Sequence, residues 1–177
     1  MSSLKELTLE KHKEAETQPF IKSIFSKQVD VKKYTDYLYQ LRLIYLRLEY
    51  LADGLGIFEG IEDIKRAKAI ELDFAELANN NMQIYLMKNS TAAYLQYIES
   101  IKLDKDKLLA HIYVRHMGDL FGGQALAKLL PGPNNMFKFN DIPGLAAKMR
   151  SKLDISLANE ANLAFDFNIA MLKDFND

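Results

Sequence analysis

The chain has 177 residues, 49% hydrophobic and 27% charged, with a net charge of −1 and no cysteine. That length suits one domain over residues 1–177 with a sizeable core. The balanced charge gives no support to nucleic-acid binding, and the missing cysteine removes disulfides, thiolate metal ligands and cysteine nucleophiles.

Apolar residues recur at spacings of three and four over long stretches, prolines number only 4 and β-branched alternation is nearly absent, which is an all-α pattern. The N-terminus is charged within a few residues, unlike a secretory signal. No apolar run approaches the roughly 20 residues of a membrane span, so a soluble, cytoplasmic protein is expected. The first helix is predicted from about Leu4 to Thr17, stopped by Pro19, and a short one follows over PFIKSIFSK. The third runs from Val31 to the glycines near Gly54, with Tyr34, Tyr37, Leu38, Leu41, Ile44, Tyr45 and Leu48 on its apolar face. The fourth covers about Glu62 to Leu77. The fifth begins near Ser90 as N-cap and ends by Leu103. Asp104 or Asp106 then caps a long helix that includes LLAHIYVRHMGDLFGGQALAK, residues 108–128. Pro131-Gly132-Pro133 breaks it. Two last helices follow, over about Pro143–Leu153 and Leu157–Phe175.

The helix over 108–128 carries Gly118, Gly122 and Gly123 in its interior, where each glycine costs roughly 1 kcal/mol relative to alanine. Gly118 and Gly122 are four apart and share a face. Bare backbone there suits close approach by another helix or by a flat ligand. Asp119 lies beside that face. Arg115, four residues earlier, offers it a structural salt bridge; the alternative is an acid or hydrogen-bond organiser in a pocket. His12 has Glu16 four residues on, one turn along the same face. That pair is either a surface helix pair or a metal-ligating histidine with its orienting carboxylate. Lys5 stands two turns before His12 on nearly the same face of the predicted first helix. His111 falls within about 20° of Gly118 and Gly122 but ~10 Å along the axis from Gly118, and His116 lies roughly opposite that glycine. Both read as packing or hydrogen-bonding residues. Nucleotide, flavin and nicotinamide motifs, the HExxH zinc pattern, and the Glu-x-x-His pairs of di-iron bundles are all missing.

The run AHIYVRHMGDLFGGQ resembles the distal-helix motif of heme oxygenases, whose core reads roughly GDLSGGQ after a tyrosine–arginine segment. Three further matches fall in order: LTLEKHKEAETQPF resembles the proximal-histidine helix, YQLRLIYLRLE the second conserved helix, and EANLAFDFNIAMLKDF the last core helix. The resemblance spans nearly the whole chain and is weakest from Gly54 to Lys107. It implies a heme oxygenase-like helical bundle, with heme b sandwiched between a proximal helix and a glycine-kinked distal helix. His12 would be the axial iron ligand and Glu16 its orienting partner. Gly118 and Gly122 would lie over the distal face, and Asp119 would hold a water against bound oxygen. Tyr45, Arg115 and Asn168 match positions that extend that polar network, and Tyr113 matches a motif tyrosine. Lys5 and Arg150 match propionate-binding positions, and Phe165 would pack near the heme. Phe121 stands where serine is common, His116 where tyrosine is frequent, and Ala146 where a second basic residue is expected, with Lys148 as its substitute. The segment from Leu153 to Glu160 is short for the family.

The implied reaction is opening of heme, by O2 and external electrons, to biliverdin (IX-α by family expectation), CO and ferrous iron. Heme is substrate and cofactor, a ferredoxin or a reductase is the expected donor, and a monomer is expected. The rival is a heme carrier or sensor of the same fold without ring cleavage.

Overall fold

A computed structural model describes all residues from 1 to 177. The chain is helical throughout, with no strand. In order the helices are α1 (Leu4–Leu7), α2 (Leu9–Glu16), α3 (Pro19–Phe25), α4 (Val31–Gly54), α5 (Ala67–Asn80), α6 (Asn89–Ser100), α7 (Lys105–Phe121), α8 (Gly123–Leu126), α9 (Ile142–Ser151) and α10 (Ala158–Lys173). Three single 3-10 turns lie between them.

The central element is α7. Asp104 starts it by accepting the Lys107 backbone N–H at 3.0 Å, an N-cap that closes one of the orphan donors of the first turn. Leu108 through Ile112, then Val114, Arg115, His116 and Leu120, are buried. A helix buried on nearly every face has neighbours all round; α4, α9 and α10 pack against it. The last turn emerges, so that Gly118, Phe121 and Gly122 are exposed. α4 supplies the facing wall through Leu38, Leu41, Ile44, Tyr45 and Leu48, started by the Asp30 carboxylate on the Lys33 N–H at 3.0 Å. α10 packs against α7 on one side and α2 on the other. One continuous core of 38 buried residues reaches from Leu4 to Phe175, so both termini are tied into it.

Several expectations are corrected. The first helix is two pieces. Thr8 donates its hydroxyl to the Leu4 carbonyl at 3.0 Å and sits at φ −111°, ψ 1°; such local bonding competes with the helix ladder. Lys5 and His12 therefore lie on separate short helices. The fourth helix begins at Ala67 rather than Glu62, because the Glu49 carboxylate from α4 takes the backbone N–H groups of Arg66 and Ala67. Ser90 is not a cap; its hydroxyl bonds the Asp174 carboxylate. Gln40 Oε1 fixes the start of α6 instead, accepting from Lys88 N–H at 3.0 Å and Thr91 Oγ1 at 2.7 Å. The long glycine helix is divided at Gly122, which keeps right-handed helical dihedrals (φ −64°, ψ −32°), and regular helix ends at Leu126 rather than Lys128.

The glycines of that segment have different reasons to be glycine. A Cβ on Gly123 would stand 2.2 Å from Phe137 Cδ1, whereas one on Gly118 would meet nothing within 4 Å. Gly123→Ala is therefore expected to destabilise the heme-free protein by about 1–3 kcal/mol through overpacking. Gly118→Ala is expected to stabilise it by up to about 1 kcal/mol through helix propensity. Urea denaturation of both variants checks the opposite signs.

Candidate functional site

α4 and α7 bring Tyr45 and Asp119 together. The Tyr45 hydroxyl donates to Asp119 Oδ2 at 2.6 Å, with Tyr45 fully buried and Asp119 half-buried. Burial pushes the Asp119 carboxyl up to about 6, against the pull of His116, the Tyr45 hydrogen bond, Arg115 and Arg66. Burial first and the Asp119 charge second hold the Tyr45 phenol well above its ordinary range. Tyr37, on the same face of α4, is pushed up to about 12 by burial, with Arg115 opposing. A carboxylate raised toward neutrality inside a cluster of phenols and cations is the electrostatic signature of a functional acid.

Arg115 and Asp119 do not form the salt bridge that their spacing offers. Arg115 is buried and turns to α10, where Nη1 donates to Asn168 Oδ1 at 3.0 Å and Nη2 meets Met171 Sδ at 3.3 Å. Its guanidinium lies 5.0 Å from the Tyr94 ring centroid, and its Nε has no partner. A buried guanidinium without a carboxylate is costly. The tyrosines around it, Tyr94, Tyr45 and Tyr37, oppose the burial that would lower its pKa and leave it raised.

The two histidines of α7 are internal. His111 is buried although it shares the glycine face, because α6 and α10 cover that part of the helix. Tyr94 bonds its Nδ1 at 2.7 Å and Glu160 its Nε2 at 3.0 Å. Burial lowers the His111 pKa despite Glu160. His116 is buried too, with Nε2 2.8 Å from Glu49 Oε1 and Nδ1 3.2 Å from the Ile112 carbonyl.

The exposed features lie at the end of α7 and on α2. Gly118 faces open space, and a Cβ on Gly122 would meet only the Gly118 carbonyl, at 3.2 Å. His12 on α2 is 50% exposed, with Nε2 3.4 Å from Glu16 Oε1. Its ring lies edge-on to Phe165 of α10 with centroids 5.9 Å apart. α10 thus joins the two: Phe165 touches His12, and Asn168, three residues on, holds Arg115 of α7. Arg150 of α9 is exposed and stacks over Phe121 at 5.4 Å, beside the glycines. Lys5 and Lys148 are exposed and Tyr113 is half-buried. Ala146 is buried against Leu120 and Leu145, so a charged side chain has no room there.

Such an arrangement defines an all-α protein with a polar cluster and exposed glycines at one end of a central helix and an accessible histidine on a helix that shares α10 with it. The heme oxygenase family model matches residues 1–174, and the chain belongs to the heme oxygenase family. It is 27% identical to a heme oxygenase of Guillardia theta over 97% of this chain and 84% of that protein. It is also 27% identical to one of Pyropia yezoensis over 99% and 85%. Among solved structures, the heme oxygenase of Leptospira interrogans superposes with a TM-score of 0.83 at 27% identity, covering 97% of both chains. Heme oxygenase-1 of the cyanobacterium Synechocystis sp. PCC6803, solved in complex with heme, gives 0.82 at 22% identity over 97% of this chain and 89% of that one.

Three partners of the α7 histidines escape the sequence reading: Glu49, Tyr94 and Glu160. Glu49 carried a signal, a charge in the middle of an apolar helix four residues after Tyr45 and so on its face. Tyr94 and Glu160 join His111 only through tertiary packing.

Asp119 has a measurable effect on stability without any ligand. Its folded pKa is raised from the ordinary 3.8 of an aspartate to about 6, so its favourable contribution is complete below the unfolded value and is lost as pH rises through the folded one. Asp119→Asn, which keeps an acceptor for Tyr45, is expected to gain stability over wild type between pH ~4 and ~6 and to hold the gain above. The plateau is roughly 2–3 kcal/mol. Thermal melts of the heme-free proteins across that range check it.

Proposed function

We propose that this chain binds heme b between α2 and the end of α7 and opens it oxidatively to biliverdin, CO and ferrous iron. The observation that carries the reading is the open backbone of Gly118 and Gly122 next to the Tyr45–Asp119 pair, in a chain of the heme oxygenase family. The residues fit the group. A helix face without side chains admits a flat macrocycle, and the half-exposed His12 beside Phe165 offers a ring nitrogen.

His12 would hold the heme iron through one ring nitrogen, and Glu16, one turn on, would accept the other N–H and so fix the tautomer. Bound heme supplies the iron that activates O2 and is itself the molecule oxidised. Gly118 and Gly122 set how closely the helix approaches the ring. Asp119, oriented by Tyr45, would hold water at the distal face and pass it protons; a carboxyl near 6 is poised to do so at neutral pH. Arg115, fixed by Asn168, extends the polar network with its free Nε. Lys5 and Arg150, both exposed, would pair with the propionates and so set the ring's rotation, Lys148 serving in place of a basic residue at Ala146; Tyr113 and Phe165 would border the ring. The relatives include algal heme oxygenases, and the exposed basic residues suit an acidic donor. Electrons are therefore assigned to a ferredoxin, reaching a monomeric, cytoplasmic enzyme. No helix is long and apolar enough to cross a membrane.

Incubation with heme, ferredoxin, its reductase and reductant is expected to replace the Soret band with a biliverdin spectrum. A persistent heme spectrum would overturn ring cleavage and leave a heme carrier. In His12→Ala the heme-titration spectrum is expected to lose its histidine-ligated form; a wild-type spectrum would refute that ligand.

A further inference from the structure

His116 is wholly buried, and both of its ring nitrogens face acceptors. Nε2 is 2.8 Å from Glu49 Oε1, and Nδ1 is 3.2 Å from the Ile112 carbonyl. A carbonyl cannot donate. Glu49 already accepts the backbone N–H groups of Arg66 and Ala67 at the head of α5. Oε1 takes the Arg66 N–H and Oε2 that of Ala67, so both carboxylate oxygens act as acceptors. With acceptors on both sides, each ring nitrogen must carry a hydrogen, which is the imidazolium. The ring lies 5.1 Å from that of Tyr45 and 5.8 Å from that of Phe58. Tyr45 in turn donates to Asp119 at 2.6 Å. The cation is thus one ring behind the hydrogen-bond donor of Asp119, in a space from which water is largely excluded.

We infer that the His116–Glu49 pair is a positioning device, a buried imidazolium that seats the Tyr45 ring and supplies the positive charge that keeps Asp119 ionised at neutral pH. Among the groups that pull the Asp119 carboxyl down, His116 stands first, ahead of Tyr45, Arg115 and Arg66. The other charged or titratable groups around it are few. From α4 come Tyr34, Tyr37, Tyr45 and Glu49, and from the head of α5 comes Arg66. α7 itself contributes Arg115, which is occupied by Asn168 of α10. Arg150 of α9 lies outside, on Phe121. His116 is bonded to Glu49 of α4, the same carboxylate that holds the head of α5. Its effect on turnover rests on the proposed role of Asp119; the charge relation does not, and holds in the heme-free chain.

The test uses NMR of the heme-free protein. In wild type at neutral pH the ring-nitrogen shifts of His116 are expected to show both nitrogens protonated. The Asp119 carboxyl carbon should titrate with a midpoint of about 6. In His116→Gln and His116→Tyr, which keep a hydrogen-bonding group without the charge, that midpoint is expected to rise by about one pH unit. The acid limb of the turnover pH profile should move up equally, with activity recovered at higher pH. A purely structural role would lower activity at every pH and leave the midpoint in place. A neutral His116 ring in wild type, or an unmoved Asp119 midpoint in a folded variant, overturns the inference. The wild-type ring measurement decides it even if neither variant folds. Failure of wild type to cleave heme would overturn the proposed function while leaving the titration result standing.

Discussion

Glu49 is where three helices meet. From the middle of α4 its carboxylate reaches the ring of His116 on α7 and the two leading N–H groups of α5. A buried carboxylate is tolerated only when its charge is matched and its lone pairs are used. Here the helix terminus and the imidazolium do both. Removing one partner of such a pair costs about 3–5 kcal/mol, because the other is stranded. The knot also fixes the relative height of α4 and α7, and with it the meeting of Tyr45 and Asp119, one turn from Glu49 and one residue short of a turn from His116. The Tyr45–Asp119 geometry therefore depends on a contact outside that pair.

What local chemistry dictates was legible in the sequence. Asp104, one of the two acids expected to cap α7, does so, α4 starts at Val31 as expected, and the glycine-bearing stretch was visible as the unusual one. What depends on long-range partners was not. α5 and α6 are started by side chains from α4, Glu49 and Gln40, which lie 17 and 48 residues away from the N–H groups they hold. No local signal encodes those starts, and the expected boundaries at Glu62 and Ser90 were drawn from local signals alone. The Arg115–Asp119 pair fails for a related reason. The spacing is right for an ion pair, but Asn168 and Tyr94 from other helices offer the guanidinium a buried seat, and Tyr45 takes the acid. His111 shows that angular position on a helix does not settle exposure when the neighbours change along its length.

α7 divides its length between two tasks. Over Leu108–His116 it is covered on nearly all sides, and its polar residues there are each engaged with a neighbour. At its end Gly118, Phe121 and Gly122 are exposed while Leu120 stays buried, and the glycines there and at the head of α8 are of two kinds. Gly123 is required by Phe137, a constraint of folding. Gly118 is required by nothing in the protein, and an exposed mid-helix glycine that no neighbour demands is a loss of helix stability without structural return. Such a residue is explained by what approaches it from outside.

α2, which carries His12, has only eight residues and buries only Ala15 among them. A helix of that length is not stable by itself in water, and the break at Thr8 denies it the support of α1 as a continuous rod. Its order is lent chiefly by α10, with α1 and α3 packed beside it. Opening of α2 therefore costs far less than unfolding the core, and whatever binds His12 must also hold α2 in place. Affinity at that histidine and the local folding equilibrium of α2 are one coupled quantity. Tightening the α2–α10 seam would strengthen binding without adding a single contact to the ligand.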